Sequence, residues 1–106
     1  MSELYFVEVN YRVPGKPVTT YFPERDASDL TRAETIKDVR AGQYEDASRI
    51  IAVDLDKGTS RDATKEIAQD ILDNLDEPPL LSLENFLEHA LGVRVVASVL
   101  REMEAA

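Results

Sequence analysis

Asp54 and Asp56 stand two positions apart, after the apolar run Ile50-Ile51-Ala52-Val53 and before Lys57-Gly58-Thr59-Ser60. Two carboxylates at that spacing could share a hard cation. A calcium loop needs a glycine at its sixth position for the sharp turn and a bidentate glutamate at its twelfth. With Asp54 first and Asp56 third, the sixth position is Thr59 and the twelfth is Lys65. What remains is an opportunistic oxygen set of Asp54, Asp56 and Asp62, and no metal ligand is assigned. His89 is the only histidine and lies beside Glu88 on a predicted helix, three residues after Phe86. No serine has a nucleophile elbow or a glycine-rich oxyanion loop around it. Zinc is disfavoured because cysteine is absent and a second imidazole is missing. Lys16 follows Gly15, but the glycine pattern of a phosphate loop does not precede it. No catalytic residue, metal or cofactor is assigned, and the chain is not expected to be an enzyme.

Two other groups of residues point to binding. On a helix predicted over residues 61–75, Asp62, Glu66, Asp70 and Asp73 recur at i, i+4, i+8 and i+11, and Glu77 extends the row if the helix runs on. Steps of four residues advance about 6 Å along a helix, comparable with phosphate spacing along one nucleic-acid strand. Such a row can imitate a phosphate backbone and occupy a basic groove. The alternative is a solvated face opposite a core stripe, and Arg61 and Lys65 on its flank weaken the mimic. The second group is aromatic and basic: Phe6, Arg12, Tyr21 and Phe22 on a predicted hairpin. Aromatic and arginine side chains serve as interface anchors, and Phe6 with Phe22 could equally close a sheet edge in a homodimer.

These residues depend on a small set of elements. Tyr5, Val7, Val9, Tyr11 and Val13 alternate with Phe6, Glu8, Asn10 and Arg12, which predicts a half-buried strand over Leu4–Val13. Pro14-Gly15-Lys16-Pro17 makes a turn, and Val18 to Phe22 returns as a second strand ended by Pro23. A polar loop follows, with room for a short helical turn. Thr31 and Glu34 have the spacing of a capping box for a helix over 32–41, with Ala33, Ile36 and Val39 inward and Gly42 as its left-handed end. Residues 48–55 form a third strand and 56–60 a turn. Ser60 or Asp62 then caps the helix over 61–75, whose Thr64, Ile67, Ala68, Ile71, Leu72 and Leu75 make one apolar stripe. Pro78-Pro79 stops it. Ser82 caps the next helix, with Leu83, Phe86, Leu87, Ala90 and Leu91 inward. Gly92 ends or bends that helix, and Val93, Val96, Ala97, Leu100 and Met103 continue a helical pattern to the end. The expected fold is α+β, in the order β-β-α-β-α-α-α, with a mainly antiparallel three-stranded sheet and helices on one face.

At 106 residues the chain fits one domain, residues 1–106, and buries roughly two-thirds of its unfolded surface. A hydrophobic fraction of 43% is enough for a core. The absent cysteines favour a reducing compartment. No apolar run approaches a membrane span, and the start lacks the pattern of a signal peptide, so the expectation is a cytoplasmic protein that does not engage membranes. The net charge of −9 is uneven. Residues 1–61 hold 11 acids and 9 bases, whereas residues 62–106 hold 10 acids and 3 bases. Phosphate binding needs Lys and Arg to displace counterions, so direct nucleic-acid binding is not expected. An acidic surface can attract a basic protein or serve solubility alone.

The run 51–60 resembles the first motif of haloacid-dehalogenase-type phosphotransferases: a buried strand, Asp-x-Asp, then Gly-Thr. That resemblance implies attack on phosphorus by the first aspartate and proton handling by the second. Lys57, inserted before Gly58, breaks the spacing, and the chain has no room for the parallel sheet or the later acidic magnesium motif. Residues 31–36, 41–46 and 60–64 resemble small uncharacterised bacterial and prophage proteins. The overall character is similar to small accessory proteins of phages and mobile elements, anti-CRISPR proteins among them. Those are short, often acidic and cofactor-free, and they inhibit by covering a nucleic-acid-binding surface or a subunit interface. They share no motif, so no functional residue is carried over. The resulting expectation is an acidic inhibitor or modulator that binds a protein partner handling nucleic acid. Asp62, Glu66, Asp70, Asp73, Glu77, Phe6 and Tyr21 are its candidate contacts. The alternative is a non-catalytic adaptor or homodimer that uses the hairpin edge.

Overall fold

The alternating segment near the start forms the strand β1 (Glu3–Tyr11), with Tyr5, Val7 and Val9 buried. The computed structural model that shows this describes residues 3–105. Gly15 turns the chain with φ 77°, and the Lys16 N–H donates to the Val13 carbonyl at 3.0 Å. The return strand β2 (Thr19–Tyr21) is only three residues long and pairs Val9 with Tyr21 and Tyr11 with Thr19. β3 (Ala47–Asp54) pairs antiparallel with β1 along its length, from Glu3 opposite Asp54 to Val9 opposite Ala47, with an irregularity between Glu8 and Val9.

The expected three-stranded sheet is corrected to four. β4 (Thr59–Asp62) pairs antiparallel with β3, placing Asp62 opposite Ile51 and Thr59 opposite Asp54. The sheet order is β2-β1-β3-β4. Every β4 residue is exposed, so no apolar alternation marks it. Its register comes from the preceding turn instead. Asp54 Oδ1 accepts from the N–H groups of Asp56 and Lys57 at 3.0 Å, and Gly58, at φ 64°, donates to the Asp54 carbonyl. A four-residue loop of this kind joins hairpin strands.

A 3₁₀ turn, Ala27–Leu30, leads into α1 (Arg32–Arg40). Thr31 Oγ1 caps α1 by accepting from the Glu34 N–H at 3.2 Å. Its end is a Schellman motif: Gly42 (φ 75°) donates to Val39 and Gln43 donates to Asp38. The buried face holds Thr35 and Val39, while Ala33, expected inward, is exposed. Two residues along a helix turn through about 200°, so burying Thr35 puts Ala33 outside.

α2 (Thr64–Asp73) starts three residues later than predicted, because Arg61 and Asp62 belong to β4. Ser60 therefore caps nothing, whereas Asp62 Oδ1 accepts from the Thr64 N–H at 2.9 Å. α3 (Leu81–Leu91) contains Ser82 in its first turn and has no side-chain cap, so the predicted capping role of Ser82 is also corrected. Gly92 (φ 98°) ends α3, and α4 (Val93–Ala105) follows at once. Val96 is buried, but Val93 is 61% exposed because it lies at the corner between the two helices.

The sheet contributes Tyr5, Val7, Val9, Ile50 and Ala52 to the core. The helices contribute Val39, Ile67, Ala68, Ile71, Leu72, Leu83, Phe86, Leu87 and Val96. Tyr11, expected inward, is 56% exposed. It meets Tyr21 edge to face instead, with ring centroids 6.4 Å apart, and Val13 lies beyond the strand. Leu4, Phe6, Ile51 and Val53 stand outside the core cluster. The shortest dimension of the molecule is 20 Å, which fits one sheet and one helical layer. No described helix is long and apolar enough to cross a membrane.

A Cβ at Gly42 would approach Ser82 Oγ to 3.0 Å and Leu80 Cδ1 to 3.3 Å, in a left-handed conformation; at Gly15 nothing lies within 4 Å. Gly42→Ala is expected to cost about 1–2 kcal/mol and more than Gly15→Ala, as read from urea unfolding midpoints. Equal midpoints would refute the close approach to α3.

Candidate functional site

The structure breaks the predicted carboxylate row. Asp62 lies in β4 and Glu77 follows the end of α2, so only Glu66, Asp70 and Asp73 remain on the helix. Glu66 is paired with Arg61. Asp70 is paired with Arg32 of α1 at 2.9 Å, and Asp73 accepts from Gln69 Nε2 at 2.8 Å. Two of the three helix carboxylates are thus answered by arginines, which subtracts most of the charge a phosphate mimic would present.

Asp54 is engaged as the acceptor of the β3–β4 turn. Among the described residues no group of three or more His, Asp or Glu side chains is placed to hold a metal ion. His89 is exposed on α3.

The structure also separates Phe6 from Tyr21. The register puts Tyr21 beside Val9 on the helix-facing side of the sheet, beyond the reach of the helices, and Phe6 on the other side. There Phe6 is the centre of a surface. It lies opposite Ile51, Leu4 lies opposite Val53, and Phe22 meets Phe6 edge to face at 6.5 Å. Leu4, Phe6, Ile51 and Val53 are half-buried and Phe22 is 48% exposed. At one end of these apolar pairs Glu8 faces Arg49, which donates to it twice, at 2.9 and 3.0 Å. Glu8 is buried, while Arg49 stays exposed. Of this surface, only the aromatic residues were picked out from sequence. The unbroken run Ile50-Ile51-Ala52-Val53 carried the remaining signal, since a strand apolar on both faces has neighbours on both.

Beside this face, where β1 has no strand partner beyond β2, lies a cleft of about 750 Å³ whose walls include Phe6, Phe22, Arg25, Asp26, Asp38 and Tyr44. Arg25 builds it. Its side chain is 7% exposed. It donates to the Tyr5 carbonyl at 3.0 Å, to the Asp29 carbonyl and to Thr35 Oγ1 at 3.1 Å, and it pairs with Asp38 at 3.5 Å. Its guanidinium carbon lies 5.7 Å from the centre of the Tyr44 ring. Nothing in the sequence set Arg25 apart, because its role depends on how short β2 is.

Several sheet carboxylates are held ionised by their neighbours. The hydrogen bonds from Arg49 keep Glu8 below its usual 4.5, against burial, which pushes it up. The Thr64 hydroxyl, then the Thr64 N–H, keeps Asp62 below its usual 3.8. A carboxyl lowered in the folded state adds stability above its unfolded value, and that stability is lost as pH falls through the folded value. Glu8→Gln is therefore expected to lower the urea midpoint at pH 6, with the gap to wild type narrowing as pH falls below 4.5. A gap that is constant with pH would show that Glu8 acts through packing alone. No family model, curated protein or solved structure matches the chain.

Proposed function

We propose that this chain is a cytoplasmic, non-catalytic protein-binding domain that acts as an inhibitor or modulator and engages its partner through the uncovered face of the sheet. The observation that carries this reading is the pair of cross-strand apolar contacts, Leu4–Val53 and Phe6–Ile51, extended by Phe22 and set outside the core. Contiguous apolar surface left partly open to solvent is a recurrent mark of protein interfaces. Charges around it are answered: Glu8 by Arg49 and Asp46 by Arg12. Paired charges at a rim can be covered without leaving a lone ion in the interface. The carboxylate row of α2 gives way to this face as the main contact, because Glu66 and Asp70 are already paired.

Site-specific photocrosslinking in the native host tests the proposal. A benzophenone side chain at Ile51 is expected to form an adduct with another protein, and one at Gln69 on the helix layer is not. Adducts at Gln69 or Asp73 alone would move the contact to the acidic helix. Self-adducts confined to Tyr21 would favour a homodimer through the hairpin edge. Either result, or no adduct at Ile51, overturns the sheet-face reading.

A further inference from the structure

The sheet ends in two outer strands, β2 and β4, and their edges differ. β4 carries Arg61 and Asp62, and charged side chains guard an edge against strand addition. β2 carries only Thr19, Thr20 and Tyr21, all exposed, and its flanks Val18 and Phe22 are exposed as well. The edge that faces solvent there is a run of uncharged, β-favouring residues.

Its main chain has groups to offer. The Asn10 N–H donates to the Asp46 carbonyl at 3.0 Å, on the β3 side of β1. Thr20 lies opposite Asn10, so the two form a non-hydrogen-bonded pair. Thr20 therefore turns its own N–H and carbonyl away from β1, to the open edge, while Thr19 and Tyr21 turn theirs inward to Tyr11 and Val9. Continuing that alternation, Pro17 and Pro23 fall at inward positions. Neither removes an outward N–H, and together they limit any pairing to the residues between them.

The segment that fits this edge is the same segment reversed. Laid antiparallel about a two-fold axis at Thr20, it sets Thr20 opposite the second copy's Thr20, Thr19 opposite Tyr21, and Val18 opposite Phe22. Threonine pairs and aromatic–β-branched pairs are favourable across strands. One step beyond the prolines, Lys16 of one copy comes level with Glu24 of the other. Both are exposed, and neither has an ion pair among the described residues. Residues 9–23 are also the longest acid-free stretch of the chain, so two molecules of charge −9 approach there with least repulsion.

We propose that the β2 edge pairs with a second copy of itself, antiparallel about Thr20, and joins two four-stranded sheets into one. The pairing lies in the plane of the sheet and leaves its face open, so it goes beyond the sheet-face reading without depending on it. The contact is small, and the association is correspondingly weak.

The test is sedimentation velocity of the full chain up to about 1 mM, with a dimer half-formed at about 0.1–1 mM as the expected result. Thr20→Pro removes the outward N–H and keeps the ladder to β1, so it should weaken association about tenfold. Lys16→Glu should weaken it about threefold at low salt, and Lys16→Glu/Glu24→Lys should restore it. The chain has no cysteine, so a single introduced one reports the contact. Oxidised Thr20→Cys should give a disulfide-linked dimer, and Ser60→Cys on the β4 edge should not. A chain that stays monomeric at the highest concentration, equal linking at the two edges, undiminished association of Thr20→Pro, or a charge swap that fails to rescue would overturn the proposal. Crosslinking keeps the two readings apart. Partner adducts at Ile51 on a monomeric chain would sink the β2 pairing alone, whereas Thr20→Cys dimers without Ile51 adducts would sink the sheet face alone.

Discussion

The buried guanidinium of Arg25 replaces a missing strand. β2 spans three residues, so the outer edge of β1 before Val9 has no ladder partner there. Arg25 donates to the Tyr5 carbonyl on β1, and the same group reaches Asp29 within the 3₁₀ turn and Thr35 and Asp38 on α1. A buried ion is tolerated only where hydrogen bonds and a counter-charge replace its hydration. Here they come from three segments, which fixes those segments relative to one another. The rotation of α1 follows: Thr35 must turn inward to accept from Arg25, and Ala33 is carried outward. The cleft is a by-product of the same arrangement, the space left where an arginine and a loop stand in for a strand.

A second polar link joins the sheet to the helices. The Ile50 N–H donates to Thr64 Oγ1 at 2.9 Å, and the Ala63 N–H donates to the Ile50 carbonyl at 2.8 Å. The bonding of β3 thus runs past the end of β4 into the first turn of α2. That turn delivers Ile67, Ala68, Ile71 and Leu72 to the sheet residues Ile50 and Ala52. Asp62 braces the link by accepting from Thr64, so its carboxylate is a structural acceptor before it is anything a partner sees.

What was legible in the sequence was what local pattern decides. Alternation placed Tyr5, Val7 and Val9 in the core, a 3.6-residue period placed the stripe of α2, and Thr31 and Gly42 marked both ends of α1. What was not legible depends on non-local pairing. β4 has no apolar face and exists because a turn lays it against β3. Its formation shortened α2 and removed Asp62 from the carboxylate row. The candidate site divides in the same way. Phe6 was visible as an aromatic on a strand, but its partner Ile51 lies 45 positions away and is defined only by register. The cleft was invisible for a further reason: residues 24–29 look like any polar loop until Arg25 folds inward.

Charge distribution explains how an apolar sheet face can stay available. The segment 62–106 holds 10 acids against 3 bases, and apart from Asp62 its strand and helix residues lie in the helical layer. The sheet arginines Arg12, Arg49 and Arg61 are each paired with acids. Two copies brought together therefore meet a net repulsion that falls off over about 10 Å at moderate salt. It opposes burial of one apolar face against another of the same chain. A basic partner meets attraction from the same charges. The acidity then acts as a filter on what covers the face: it discourages self-association there and favours a partner of opposite charge.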